Sequence, residues 1–160
     1  MGTTSSGGVP ATSGVKFPPP LVYVGGLVAG WLLGRVWPLG GFRDGWADPA
    51  SLVAGAAGAA LVAAALGLFR RAGTDPLPMR PTTTLVFAGP YRFTRNPMYL
   101  GMALIYLSFA LLFDLPWALA LLPVVLLVVQ TQVIAREERY LEAKFGDEYR
   151  AYRGRVRRWL

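Results

Sequence analysis

Asn96-Pro97-Met98-Tyr99-Leu100-Gly101-Met102-Ala103-Leu104-Ile105-Tyr106-Leu107-Ser108-Phe109-Ala110-Leu111-Leu112-Phe113 is the stretch that decides the fold. Asn followed by Pro is a helix start, because an Asn side chain can cap free backbone amides and proline's fixed φ suits the first helical position. From Met98 to Phe113 the residues are apolar on every side, which fits a hydrocarbon core and not the single apolar face of a soluble helix. Just upstream, Gly89-Pro90-Tyr91-Arg92-Phe93-Thr94-Arg95 is polar, basic and turn-rich. The helix therefore opens at a bilayer surface, where its free amides and dipole favour a carboxylate or phosphate.

Outward from this helix lie three more apolar runs, Leu21 to Trp37, Ala50 to Phe69 and Leu115 to Ile134. With 54% hydrophobic residues in 160, the composition is that of a small integral membrane protein. The expected fold is all-α, a polytopic transmembrane helical bundle of about four spans (21–37, 50–69, 97–113 and 115–134) in a single domain over residues 21–160. The first run holds Gly25, Gly26, Gly30, Gly34 and Arg35, so a tilted or interfacial helix is its alternative reading. Residues 1–20 are Gly-, Ser-, Thr- and Pro-rich with little charge, a composition expected to stay disordered. They lack the pattern of a secretory signal.

The net charge is +7. Arg70, Arg71, Arg80, Arg92 and Arg95 fall between the second and third runs, and Arg136, Arg139, Lys144, Arg150, Arg153, Arg155, Arg157 and Arg158 follow the fourth. The third connection offers only Asp114, and the first sets Arg35 and Arg43 against Asp44 and Asp48. Basic residues stay on the cytoplasmic side, so both termini are expected there, at the inner membrane of a bacterium. Topology and attraction to anionic membrane lipids account for the charge, and no nucleic acid need be invoked. There is no Cys and no His. Disulfides, thiolate chemistry and an imidazole base are thereby excluded, and no metal site is expected.

Gly26, Gly30 and Gly34 recur every fourth residue, and Ala54, Gly55, Ala57, Gly58 and Ala59 give the second run a small face. Such faces let helices approach closely, either within the chain or across a homodimer through the glycine-rich spans. After the fourth run the sequence continues without a breaker into a cytoplasmic amphipathic tail helix, expected over 135–153. At helical spacing Ile134, Glu138, Leu141, Phe145, Tyr149 and Tyr152 share one stripe. Glu138 thus lies on the apolar face, which calls for a partner, either Arg92 or Arg95 or a ligand group, whereas Glu137 reads as solvated.

Gly89-Pro90-Tyr91, Arg95-Asn96-Pro97-Met98-Tyr99-Leu100-Gly101, Glu137-Glu138, Leu141, Phe145-Gly146, Tyr149 and Tyr152 together resemble the signature of the isoprenylcysteine carboxyl methyltransferase and phospholipid methyltransferase superfamily. The resemblance runs from Thr84 to Arg157. It implies a polytopic enzyme that binds S-adenosylmethionine at the cytoplasmic face and methylates a lipophilic small molecule or lipid. It implies that Tyr91, Arg95, Asn96, Pro97, Tyr99, Leu100 and Gly101 enclose the cofactor with the tail helix, Gly101 allowing close backbone approach. Glu138, with Glu137, would take its ribose hydroxyls or amino group, Arg95 or Arg136 its carboxylate, and Tyr149 or Tyr152 would close the lid. Asn96, Tyr99 and Glu138 form the implied catalytic set. Asn96 stands where the isoprenylcysteine enzymes often carry His, and it cannot take a proton at neutral pH.

Methyl transfer tolerates that loss, since a sulfonium donor is already activated and alignment in a dry pocket is the main task. A carboxylate acceptor needs no base, whereas an amine, phenol or alcohol must lose a proton to Glu138, Tyr99 or water. Lateral entry between helices near Tyr99, Met102 and Gln130 is expected for a membrane-soluble acceptor. Fourteen arginines against two lysines, with abundant Ala, Gly and Leu, suggest a GC-rich bacterial source. Two other classes compete: a nicotinamide-dependent membrane reductase related to sterol reductases, and a noncatalytic helical scaffold.

Overall fold

The computed structural model describes residues 12–42 and 45–160, so Arg43 and Asp44, together with residues 1–11 of the tail, lie outside the described residues. The described chain is helical: α1 (Pro20–Val36), α2 (Ala47–Arg71), a 3-10 turn (Gly89–Arg92), α3 (Pro97–Leu112), α4 (Pro116–Val128), a π-helical turn (Val129–Ile134), α5 (Ala135–Phe145) and α6 (Asp147–Arg155). Among the described residues no strand forms, and extended pairing is limited to a parallel bridge between Thr94 and Arg157. Two helical stretches, Ala47–Arg71 and the 30-residue rod Pro116–Phe145 with the π-helical turn inside it, are long and apolar enough to cross a membrane, while α1 and α3 are shorter apolar helices.

The four apolar helices run up and down in one bundle, α1 lying along α4 and α2 along α3. Glycine sets both approaches. A Cβ on Gly58 would come 2.6 Å from the Gly101 carbonyl oxygen, one on Gly101 would come 2.8 Å from that of Gly58, and one on Gly30 would collide with the Ala118 backbone. Gly30, Gly58 and Gly101 are thus used inside the chain, whereas Ala57 and Ala59 stay exposed. Gly101, expected to admit a ligand, admits α2 instead. Tyrosine hydroxyls satisfy backbone carbonyls between helices, Tyr106 Oη donating to Ala118 O at 2.7 Å and Tyr23 Oη to Tyr99 O at 2.9 Å. Leu21, Val24, Val28 and Leu32 of α1, Leu52 and Val53 of α2, and Val124 and Leu127 of α4 are turned outward. An apolar exterior of this kind suits contact with lipid chains.

At one pole the α1–α2 connection is tied to the α3–α4 corner, Phe42 N donating to Asp114 Oδ1 at 3.0 Å and Trp117 Nε1 to Trp37 O at 2.6 Å. The opposite pole carries the arginine-rich 72–96 connection and the tail. Two expectations change there. The tail helix over 135–153 is two helices, because Gly146 at φ 53° and ψ −123° adopts a conformation open to glycine and turns the chain between α5 and α6. Residues 12–19, expected within a disordered tail, are laid against the bundle: Val15 is buried in the core cluster and Ser13 Oγ donates to Pro78 O at 2.5 Å.

Candidate functional site

A pocket opens at the basic pole. Its floor is the start of α3, with Asn96, Met98 and Tyr99; one wall is α5, with Glu137, Glu138, Tyr140 and Leu141; α6 adds Tyr149 and Tyr152. Phe69 at the end of α2, Tyr91 of the 3-10 turn, and segments 75–78 and 84–86 of the connection complete it, with Thr82 and Ser13 at the side. The connection is held over the pocket by Thr82 N donating to Tyr140 Oη at 3.2 Å and Thr83 N to Thr74 Oγ1 at 2.9 Å.

The two adjacent glutamates have separate surroundings. Glu138 accepts from Arg95 Nη2 at 2.7 Å, and from Arg158 Nε at 3.1 Å and Nη2 at 2.5 Å. The Arg95 and Glu138 side chains are each only 9% exposed. The expected partner Arg95 is thus found, Arg92 points to solvent, and Arg158 is the second cation. Glu137 lies on the pocket, where Tyr99 Oη donates to both of its carboxylate oxygens at 2.9 Å. Among the described residues no arginine or lysine pairs with it. The expectation that Glu138 alone points inward and Glu137 is solvated is therefore corrected. Successive helix residues diverge by about 100°, and α5 is covered on both flanks, by Tyr99 on one and by the chain end on the other.

That chain end, residues 156–160, forms a strap across the start of α3. Arg95 N donates to Arg157 O at 2.9 Å, Asn96 Nδ2 to Arg158 O at 2.9 Å and Thr94 Oγ1 to Arg158 O at 3.1 Å. Trp159 Nε1 donates to Gln130 Oε1 at 2.8 Å. Asn96 occupies the N-cap position without capping through its side chain, and its Nδ2 donates to the strap. Arg95 also donates from Nη1 to Arg153 O at 3.0 Å, and its buried Nε has no partner.

Of the residues singled out from sequence, Tyr91, Arg95, Asn96, Tyr99, Glu137, Glu138, Tyr149 and Tyr152 converge on the pocket. Pro97, Leu100 and Gly101 do not line it. Neither does Arg136, whose guanidinium donates to Gln132 Oε1 at 3.3 Å and Gly14 O at 3.4 Å, away from any ligand carboxylate in the pocket. Met102 is packed against the core and Gln130 is taken by Trp159, so neither flanks the opening. Sequence reasoning missed Arg158 and Trp159, which nothing distinguishes from their basic neighbours, and the Thr- and Pro-rich 74–86 segment, which has no periodicity to read.

Burial dominates the tyrosines. It raises the Tyr91 phenol well above its usual range, with the charge of Glu137 adding to the effect, and does the same to Tyr149 with Glu138 adding. Tyr152 is pushed up to about 12, burial outweighing the opposing charge of Arg95. All three remain neutral hydroxyls at physiological pH, and Tyr152 Oη donates to Tyr91 O at 2.7 Å. The result is an aromatic chamber with neutral walls, one carboxylate neutralised by two arginines and one held only by a phenol.

A profile of the phospholipid methyltransferase family matches residues 50–148. The chain belongs to the phospholipid methyltransferase family. The matched segment takes in α2 to α5 and, with them, Asn96, Tyr99, Glu137 and Glu138; Tyr149, Tyr152 and the strap lie beyond it. A Haemophilus influenzae protein described as uncharacterized is 49% identical over 63 residues, which is 39% of this chain and all of that protein. No solved structure matches the chain. Family membership makes this helical bundle a membrane methyltransferase-type protein, with the pocket at its basic pole as the candidate active site.

Proposed function

We propose that this family member transfers a methyl group from S-adenosylmethionine to a lipophilic acceptor at the cytoplasmic face of a bacterial inner membrane. The observation that carries this reading is the pocket itself, an aromatic chamber at the end of an apolar bundle with an unneutralised carboxylate on its wall. The residues fit the cofactor's groups. Glu137 suits an ammonium, a sulfonium or ribose hydroxyls, the unpartnered Nε of Arg95 supplies a buried donor, and the rings of Phe69, Tyr91, Tyr149 and Tyr152 suit a flat base or a cation.

When bound, the cofactor supplies an electrophilic methyl on a cationic sulfur, which keeps the bonding electron pair and becomes a neutral sulfide. The chain's contribution is alignment and exclusion of water. Arg95 and Arg158 fix Glu138, and through the strap they fix Asn96 and the start of α3. Asn96 donates from its amide nitrogen to a carbonyl and cannot take up a proton at neutral pH, so for an amine acceptor Glu137 is the carboxylate suited to receive one. A carboxylate acceptor requires none. The apolar exterior of the bundle favours an acceptor arriving from the bilayer. Met102 and Gln130 do not line the pocket, whereas residues of the 74–86 segment do, so the opening is bounded by that segment.

The test is binding of radiolabelled S-adenosylmethionine to detergent-purified protein, followed by transfer of label to lipophilic and water-soluble acceptors sharing one reacting group. Binding with strong preference for the lipophilic acceptor is expected. Binding of a nicotinamide cofactor alone would replace the reading with a reductase, and binding of neither would leave a scaffold.

A further inference from the structure

The charge arrangement of the pocket separates what holds the site together from what a ligand meets. Glu138 spends both carboxylate oxygens on Arg95 and Arg158. Asp75, the third acid on the pocket, is engaged by Arg80 at 2.8 Å. Glu137 is different. Its two oxygens share one phenolic donor, Tyr99, and among the described residues no cation pairs with it. A carboxylate in that position, against rings and with no basic side chain paired to it, is a negative charge localised on the chamber wall, while the surplus positive charge of the Arg95–Glu138–Arg158 cluster is committed to Glu138.

We infer that Glu137 is the specificity-determining residue that distinguishes a cationic ligand from a neutral one of the same shape. Resting on the methyl-donor reading, this means that Glu137 favours the sulfonium form of the cofactor over the sulfide left after transfer. A hydrogen bond to ribose or to an amino group, present in both forms, would stabilise both alike. A charge interaction with sulfur would stabilise only the first, and the aromatic walls reinforce the same sign of discrimination. Loss of charge on transfer then weakens the product's hold on the pocket and assists its release. Glu138, already neutralised, contributes to neither side of this difference.

The experiment is equilibrium binding of S-adenosylmethionine and S-adenosylhomocysteine to the full chain in detergent, for wild type, Glu137→Gln and Tyr99→Phe. The readout is the ratio of the two affinities. Glu137→Gln is expected to lower the preference for the cation by roughly tenfold or more, in the range set by hydrogen bonds and contacts to charged groups. Tyr99→Phe removes the hydroxyl donor that favours the ionised carboxylate, so its preference should fall in the same direction as that of Glu137→Gln. Equal weakening of both ligands by Glu137→Gln, with the ratio unchanged, would overturn the inference. If Glu137→Gln fails to fold, a Tyr99→Phe ratio unchanged from wild type would overturn the inference. Absence of binding of either ligand to wild type would instead defeat the methyl-donor reading itself.

Discussion

Glu138 lines the pocket while spending both carboxylate oxygens on arginines. It is buried between Arg95, itself 9% exposed, and Arg158, which is 35% exposed. Removing one partner from a buried pair costs about 3–5 kcal/mol, because the other charge is left uncompensated. Arg95→Met should approach that figure. Arg158→Met should cost less, about 1–2 kcal/mol, since solvent reaches that guanidinium and Arg95 stays in place. Thermal unfolding in detergent checks the order, and a larger loss for Arg158→Met would contradict it. Position 138 was legible as a buried acid needing a partner, an arginine or a ligand group, because the apolar stripe from Ile134 to Leu141 is local. Its neighbour was not, because what covers Glu137 is Tyr99, 38 residues away, and helical spacing says nothing of a distant covering side chain.

At the scale of elements, the apolar runs were readable to within three residues at most ends, since length and hydropathy alone define a membrane helix. Three features escaped that signal. The π-helical turn over Val129–Ile134 has no compositional mark, the break at Gly146 sits inside a pattern that remains periodic through Tyr152, and the strap is one more run of arginines. The glycine faces were read correctly as close-approach surfaces, and the structure assigns them partners. Gly58→Ala should therefore destabilise the bundle, as its Cβ would meet Gly101 O at 2.6 Å and Ile105 Cγ1 at 2.9 Å. Overpacking of this kind costs about 1–3 kcal/mol. Gly67→Ala, in the same helix with nothing within 4 Å, should be neutral or stabilising by up to about 1 kcal/mol. Equal unfolding temperatures for the two variants would count against direct backbone contact between α2 and α3.

For the whole molecule, the arginine asymmetry gives an orientation that labelling can check. The chain has no cysteine, so single cysteines at Arg80, Arg155 and Phe113 report without background. Positions 80 and 155 should react from the cytoplasmic side of sealed vesicles and position 113 from the other. Reaction of all three from one side would rule out the up-and-down arrangement. The site draws on both ends of the chain, from Ser13 to Tyr152, with the strap behind it. That assembly explains why a motif confined to residues 84–157 revealed the pocket's members and not its frame.

The rod Pro116–Phe145 measures about 45 Å, whereas α1 and α3, at 17 and 16 residues, measure about 25 and 24 Å. Helices of such unequal length, interlocked at Gly30 and Gly58, cannot adjust their tilts independently. A hydrocarbon layer of about 30 Å overreaches the two short members, so lipid beside them must compress. Bilayer thickness thereby becomes a mechanical load on the bundle, carried by the rod straight to the glutamates at its far end. Reconstituted in lipids of graded acyl-chain length, the protein should unfold at its highest temperature in the thinner membranes and lose ligand affinity as the chains lengthen. An unfolding temperature indifferent to chain length would show that the short helices do not set the depth at which the molecule sits.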